Sequence, residues 1–188
     1  MRVLGIMGSP RVRGNTDILL DEALKGAQGQ GAEVEKIMVD KLKIAPCREY
    51  YGCLKDGNCV IRDDMDDIYP KLLSADVIII ASPMFFYGLT SQLKALIDRC
   101  QALWARKYIL KQDSPHSVRS GAFIGVGATR GEKLFVGTIL TVKNLFQIIG
   151  VKYVDELLVR GVDGKGEIKE HPTALSDAAE MGKRLASN

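Results

Sequence analysis

Short runs of Val, Ile, Leu and Ala recur along the chain, separated by longer stretches whose apolar residues follow a helical period. The runs predict strands at Arg2 to Met7, Glu33 to Val39, Val77 to Ser82, Ser120 to Val126 and Lys152 to Arg160. Val77-Ile78-Ile79-Ile80-Ala81 is apolar at every position, the pattern of a strand covered on both faces. Between the runs, Thr16 to Ala27 sets Ile18, Leu19, Ala23 and Leu24 on one helical face, and Asp64 to Ser74 does the same with Met65, Ile68, Leu72 and Leu73. Ser91 to Trp104, Lys133 to Ile149 and Thr173 to Ala186 complete the helices. Asp40 to Asp63, Gln112 to Arg119 and Gly161 to His171 are the least regular stretches.

Strict alternation of five strands with five helices predicts an α/β fold. Its form is a three-layer doubly wound sandwich, flavodoxin-like, on a five-stranded parallel sheet of order 2-1-3-4-5. At 188 residues, 46% apolar and 26% charged, the chain is expected to form one domain over residues 1–188 with an adequate core. The formal charge of +3 is spread along the sequence, which gives no indication of nucleic-acid binding. No apolar run approaches the roughly 20 residues of a membrane span, so no membrane partner is expected. The first residues are too short for a secretory signal. A cytoplasmic location is therefore expected, with the four cysteines as thiols, metal ligands or redox groups.

In an open parallel sheet of this order, ligands lie beyond the carboxyl ends of strands one and three, where the order reverses. The first strand runs into Gly8-Ser9-Pro10-Arg11-Val12-Arg13-Gly14-Asn15-Thr16 and then a helix. Hydroxyls at Ser9 and Thr16, the Asn15 amide, the Arg11 guanidinium and the positive end of the helix suit a phosphate dianion. The plainer reading is a polar turn with Asn15 or Thr16 as N-cap. A triphosphatase loop is excluded, because Gly14 is followed by Asn15-Thr16 and not by Lys-Ser/Thr. Gly125-Val126-Gly127 with Gly131 is off by one residue for a dinucleotide fingerprint and lies late in the chain.

After the third strand, Ser82-Pro83-Met84-Phe85-Phe86-Tyr87-Gly88 places large apolar rings where the chain should face water. Such a cluster marks a binding surface, with burial of Phe85 as a core plug the alternative. After the fourth strand, Gly127-Ala128-Thr129-Arg130-Gly131 adds a hydroxyl and a cation. Three loops on one edge thus converge on a ligand with an anionic tail and a flat head.

These residues, together with Lys94-Ala95 and Ile97-Asp98-Arg99, resemble the NADPH-dependent FMN reductase family and its iron-sulfur flavoprotein branch over roughly the first 130 residues. The resemblance implies FMN, its phosphate held by Ser9, Arg11, Asn15 and Thr16. The isoalloxazine would rest on Pro83, Met84, Phe85, Phe86, Tyr87 and Gly88, with Thr129, Arg130 and Gly131 near its pyrimidine edge. It further implies NAD(P)H as hydride donor, an unidentified second acceptor, and a homodimer or homotetramer built partly on Leu103 to Tyr108.

Iron-sulfur flavoproteins of this family carry four cysteines in a compact motif within the loop before the second helix. Cys47, Cys53 and Cys59 match its first, third and fourth positions, and Tyr50 stands at the second. A [4Fe-4S] cluster normally takes four thiolates, so a stable cluster is disfavoured here. The five-residue gaps are wide for zinc; a redox thiol pair or plain thiols remain open. Cys100 reads as a buried small hydrophobe, and His116 and His171 as surface histidines. Cys100 with Arg106 has a phosphatase's nucleophile-to-arginine spacing, but a helix cannot form that anion loop. The leading expectation is an FMN-dependent NAD(P)H oxidoreductase. The alternatives are a flavodoxin-like electron carrier or iron-sulfur flavoprotein without NAD(P)H chemistry of its own, and an FMN-using redox sensor.

Overall fold

The protein is described by a computed structural model covering residues 1–112 and 118–187. His116 and part of the predicted Gln112 to Arg119 connection lie outside the described residues.

Every apolar run seen in the sequence is a strand. The strands β1 (Arg2–Met7), β2 (Glu33–Met38), β3 (Val77–Pro83), β4 (Arg119–Gly127) and β5 (Val151–Arg160) form one parallel sheet in the order β2-β1-β3-β4-β5. Because side chains alternate across a strand, the sheet divides the core in two. Leu4, Ile6, Ile78, Ile80 and Phe123 point into one cluster, and Val3, Met7, Ile79, Ala81, Ala122 and Ile124 into the other.

The helices are α1 (Asn15–Gln28), α2 (Cys53–Asp56), α3 (Met65–Ser74), α4 (Ser91–Arg99), α5 (Gln101–Trp104), α6 (Val136–Ile149) and α7 (Ala174–Ala186). Helices α1 and α7 cover the second cluster and α3 to α6 the first. The flavodoxin-like arrangement and the strand order are as the sequence predicts.

Most boundaries agree to within a residue, and three stretches differ by more. The predicted helix from Ser91 to Trp104 breaks at Cys100 into α4 and α5 and continues as a π-helical turn over Ala105–Ile109. The predicted helix from Lys133 starts only at Val136, since the amides of Leu134 and Val136 close turns onto the Gly131 and Lys133 carbonyls. The loop after β2 holds a 3-10 turn at Val39–Lys41 and the short α2, which Gly57 stops at φ +81.

Inside the molecule, the buried Arg119 ties three elements together through backbone carbonyls. Its Nε donates to the Ala75 carbonyl at 2.7 Å, Nη1 to the Ile149 carbonyl at 2.8 Å, and Nη2 to the Leu72 carbonyl. These carbonyls lie at the ends of α3 and α6, where intrahelical donors run out.

Candidate functional site

The ends of β1 and β3 are locked together where the sheet order reverses. The Gly8 amide donates to the Ala81 carbonyl at 2.7 Å, and the buried Thr90 hydroxyl donates to the Gly8 carbonyl at 2.6 Å while accepting from the Leu93 amide. A Cβ on Gly8 would fall 2.6 Å from Leu93 Cδ2 and 3.0 Å from the Ala81 carbonyl oxygen, so a larger residue would push β1, β3 and α4 apart here. Above the junction lies a crevice of about 80 Å3 lined by Ser9, Arg11, Asn15, Thr16, Pro83 and Met84, among others. A space of that size takes a phosphate and its link; a flat ring has to lie across the open turn that follows.

Gly14 is the N-cap of α1, and no side chain caps the helix. The capping reading of Asn15 and Thr16 is thereby corrected. First-turn amides and the positive helix end face the crevice, the arrangement that attracts an anion. Ser9 and Thr16 are buried, and Ser9 Oγ accepts from the Arg11 amide at 3.1 Å. The Asn15 side chain is spoken for: Nδ2 donates to the Gly164 carbonyl at 2.8 Å and Oδ1 accepts from the Ile168 amide at 3.2 Å. What Asn15 presents to the crevice is its backbone. Arg11 Nη1 reaches the Asp163 carbonyl at 3.4 Å.

The buried Asp17 carboxylate, in the same first turn, accepts from the Arg13 amide at 2.6 Å and pairs with Lys36. Burial pulls the Lys36 ammonium down, but its bonds to Asp17 and Asp21 outweigh that and leave it above its ordinary range. The pair neutralises a carboxylate that would otherwise repel a phosphate.

Beyond Pro83, the chain makes a two-residue reversal. The Phe85 and Gly88 amides and carbonyls pair at 3.0 and 2.9 Å across Phe86 and Tyr87. Both central residues have positive φ, 49° and 62°, the geometry of a type I′ turn that normally takes Asn-Gly. Phe86 is fully exposed, and Phe85 and Tyr87 are about half exposed. The core-plug reading of Phe85 is therefore corrected; the polar demand of the turn's backbone turns all three rings outward.

Tyr87 meets the neighbouring loop, for a Cβ on Gly131 would lie 3.2 Å from its hydroxyl. Thr129 and Arg130 are exposed at the same edge. The Arg130 guanidinium packs so close to Gly161 that a Cβ there would fall 2.9 Å from Arg130 Cζ. Met84 is fixed by its amide on the Val126 carbonyl and by the Thr138 hydroxyl 3.5 Å from its sulfur. Gly127 and Ala128, named with the loop after the fourth strand, also line the crevice, as do Val126, Val162 and Asp163, which the sequence reading gave no part in the site. The signal for Val162 and Asp163 is the glycine pair Gly161 and Gly164, which marks a loop at the end of β5.

The cysteine loop lies elsewhere. Cys47, Cys53 and Cys59 line an open cavity of about 450 Å3 with Tyr50 and Tyr51. Among the described residues no three His, Cys, Asp or Glu side chains gather as a metal ion requires. Burial, and then Cys59, push the Cys53 thiol up. The loop is held by cations instead. Arg99 Nη1 donates to the Ala45 carbonyl at 2.9 Å and to Asp63 Oδ2 at 2.5 Å, and Nη2 to the Ile61 carbonyl at 3.0 Å. Arg106 donates to the Gly57 carbonyl and to Asn58 Oδ1 at 2.8 and 3.0 Å. Three thiols with no fourth thiol beside them among the described residues do not fit a four-thiolate cluster. Cys100 is buried, its thiol pushed up to about 12 by desolvation.

A doubly wound sheet with a crevice at the reversal of strand order defines a flavodoxin-like protein with its ligand site at the switch point. The family model for NADPH-dependent FMN reductase matches residues 1–156, and the chain belongs to that family. It is an FMN-dependent NAD(P)H oxidoreductase; the carrier alternative is not favoured.

An iron-sulfur flavoprotein of Methanocaldococcus jannaschii is 34% identical over 99% of this chain and 96% of its own length. Another, from Methanosarcina thermophila, is 32% identical over 98% of this chain and 93% of its own. The fold is shared with an NAD(P)H:quinone oxidoreductase from Methanothermobacter marburgensis, at TM-score 0.75 and 17% identity over 98% of each chain.

Proposed function

We propose that the crevice between the loops after β1, β3 and β4 is the FMN site, and that residues 1–188 act as one FMN-binding unit. The phosphate is held by the α1 amides, the Ser9 and Thr16 hydroxyls and the Arg11 guanidinium. The ring system lies on Pro83 to Gly88, with Thr129 to Gly131 at its edge. When bound, FMN accepts a hydride from NAD(P)H and hands electrons to a second acceptor. The chain's own part is to bind, orient and shield. The helix end neutralises the tail, the turn offers backbone and rings to the flat head, and the Lys36–Asp17 pair keeps the first turn free of net negative charge.

The observation that carries this reading is the positive φ of two bulky aromatics on an exposed turn. Such a conformation costs on the order of 1–3 kcal/mol per residue and persists where the site uses it.

For the assembly we propose a homodimer or homotetramer. The segment Leu103 to Tyr108 turns largely inward, with Leu103 and Ala105 buried and Trp104 packed on its own core. Support for an interface comes instead from exposed Val136 and Leu140, one turn apart on α6, whose Gly137 lies beside the Tyr87 carbonyl. No helix among the described residues is long and apolar enough to cross a membrane. We place the protein in the cytoplasm, where its four free cysteines stay reduced.

The test is an FMN titration followed by flavin fluorescence. Wild type quenches the flavin, and NADPH bleaches the bound chromophore. Arg11→Ala weakens binding by about 1.5–3 kcal/mol, the worth of a hydrogen bond to a charged group. Unquenched flavin in wild type overturns the site, and unchanged affinity in the variant removes Arg11 from it.

A further inference from the structure

The segment after β5 lies outside the residues matched by the family model, yet it walls the crevice. Val162 and Asp163 line it, and the Val162 amide donates to the Gly127 carbonyl at 3.3 Å. Two bonds carry this segment onto the phosphate loop. Gly164 accepts from Asn15 Nδ2 at 2.8 Å, and Asp163 accepts from Arg11 Nη1 at 3.4 Å. A third, from the amide of the fully buried Ile168 to Asn15 Oδ1, closes the ring.

One side chain fixes the turn that makes those acceptors converge. Glu167 Oε2 accepts from the Asp163 amide at 2.9 Å and from the Gly164 amide at 2.6 Å. Each of the two residues is then held from both sides: its amide by Glu167, and its carbonyl by Arg11 or Asn15. Glu167 opens the 3-10 turn Glu167–Glu170, which follows Gly166 at φ +83, so the backbone itself brings the carboxylate back over the turn. Glu167 is not among the residues lining the crevice.

We infer that Glu167 is a positioning residue for the flavin phosphate, acting through the Asp163–Gly164 turn on Asn15 and Arg11. The inference rests on the FMN reading above and adds to it the β5-to-α7 loop as a fourth wall. With the carboxylate gone, two amides lose their acceptor and the turn is free to swing. Asn15 and Arg11 lose the carbonyls that hold them, and α1 starts from a looser Gly14. The effect is confined to the end of the ligand that carries the phosphate.

The experiment compares wild type, Glu167→Ala and Glu167→Gln for affinity toward FMN and toward riboflavin, which lacks the phosphate. Expected for Glu167→Ala is an FMN Kd raised about tenfold, with riboflavin affinity unchanged. Glu167→Gln keeps a carbonyl acceptor in place and recovers most of the loss. If the carboxylate acted only by repelling the phosphate, Gln and Ala would both tighten FMN binding, and the inference would fail. It would also fail if FMN affinity stayed within twofold of wild type, or if FMN and riboflavin weakened together. Failure of wild type itself to bind FMN would instead overturn the site reading and the inference with it.

Discussion

Tyr87 shows how much one backbone angle says that composition cannot. In the sequence, Phe85-Phe86-Tyr87 reads as a ring cluster at a loop, and its function follows from that position. That Phe86 and Tyr87 take left-handed backbone at φ 49° and 62° is not written in residue type, because aromatics are poor choices for a type I′ turn. Only the hydrogen-bonded closure between Phe85 and Gly88 reveals it. The strain yields a prediction with two opposite signs. Tyr87→Gly relieves the left-handed residue and should raise the urea midpoint by the equivalent of about 1 kcal/mol. The same change removes the hydroxyl that meets Gly131, so FMN retention should drop several-fold. Stability and affinity falling together would mean that the turn stores nothing for the site.

Among the elements, the strands were the most legible part. Ile78, Ile79 and Ile80 bury both faces of β3, so no polar position interrupts the run. The helix pair α1 and α7 was legible as two helices but not as a contact. A Cβ on Gly182 would fall 1.8 Å from the Ala23 carbonyl, and one on Gly26 2.1 Å from that of Ala179. Nothing local distinguishes these glycines from tolerated ones. The walls of the crevice were hidden for a related reason: the bonds from Asn15 to Gly164 and Ile168 span about 150 positions and leave no periodic trace.

The loop between β2 and α3 carries a pH prediction. Arg99 is fully buried there and Asp63 nearly so. Burial pushes the Asp63 carboxyl up, but Arg99 and the Ala45 and Met65 amides overcome it and hold the carboxyl below its usual range. A carboxyl depressed on folding stabilises fully above its unfolded value, about 3.9, and the contribution goes as pH falls through the lower folded value. Wild-type stability should therefore decline steeply below roughly pH 4. Asp63→Asn should cost about 3 kcal/mol at neutral pH, as when a buried pair loses one partner, and its urea midpoint should depend less on acid. Parallel curves for the two proteins would remove Asp63 from the acid response.

At the scale of the whole molecule, the cysteine loop is the part of this chain that bears on the iron and sulfur named in two of its relatives. A cluster can order its own binding loop, since metal binding and folding are coupled. Here the order has another source: Arg99 grips Ala45, Ile61 and Asp63, and Arg106 grips Gly57 and Asn58. The three thiols lie along an open cavity with two tyrosines, and the fourth thiol of the chain, Cys100, is buried in the core with its proton held tightly. It cannot swing out to complete a donor set without vacating the packing between α4 and α5. Protein purified without oxygen, and then offered ferrous iron and sulfide, should therefore keep the two resolved bands of a flavin with no broad added absorbance. Its iron should stay well below one per chain, with the loop's hydrogen exchange unchanged by a chelator. About four iron and four sulfide per chain, the content of a cubane cluster, would mean that a non-thiol group completes the set and that the arginine grip is secondary.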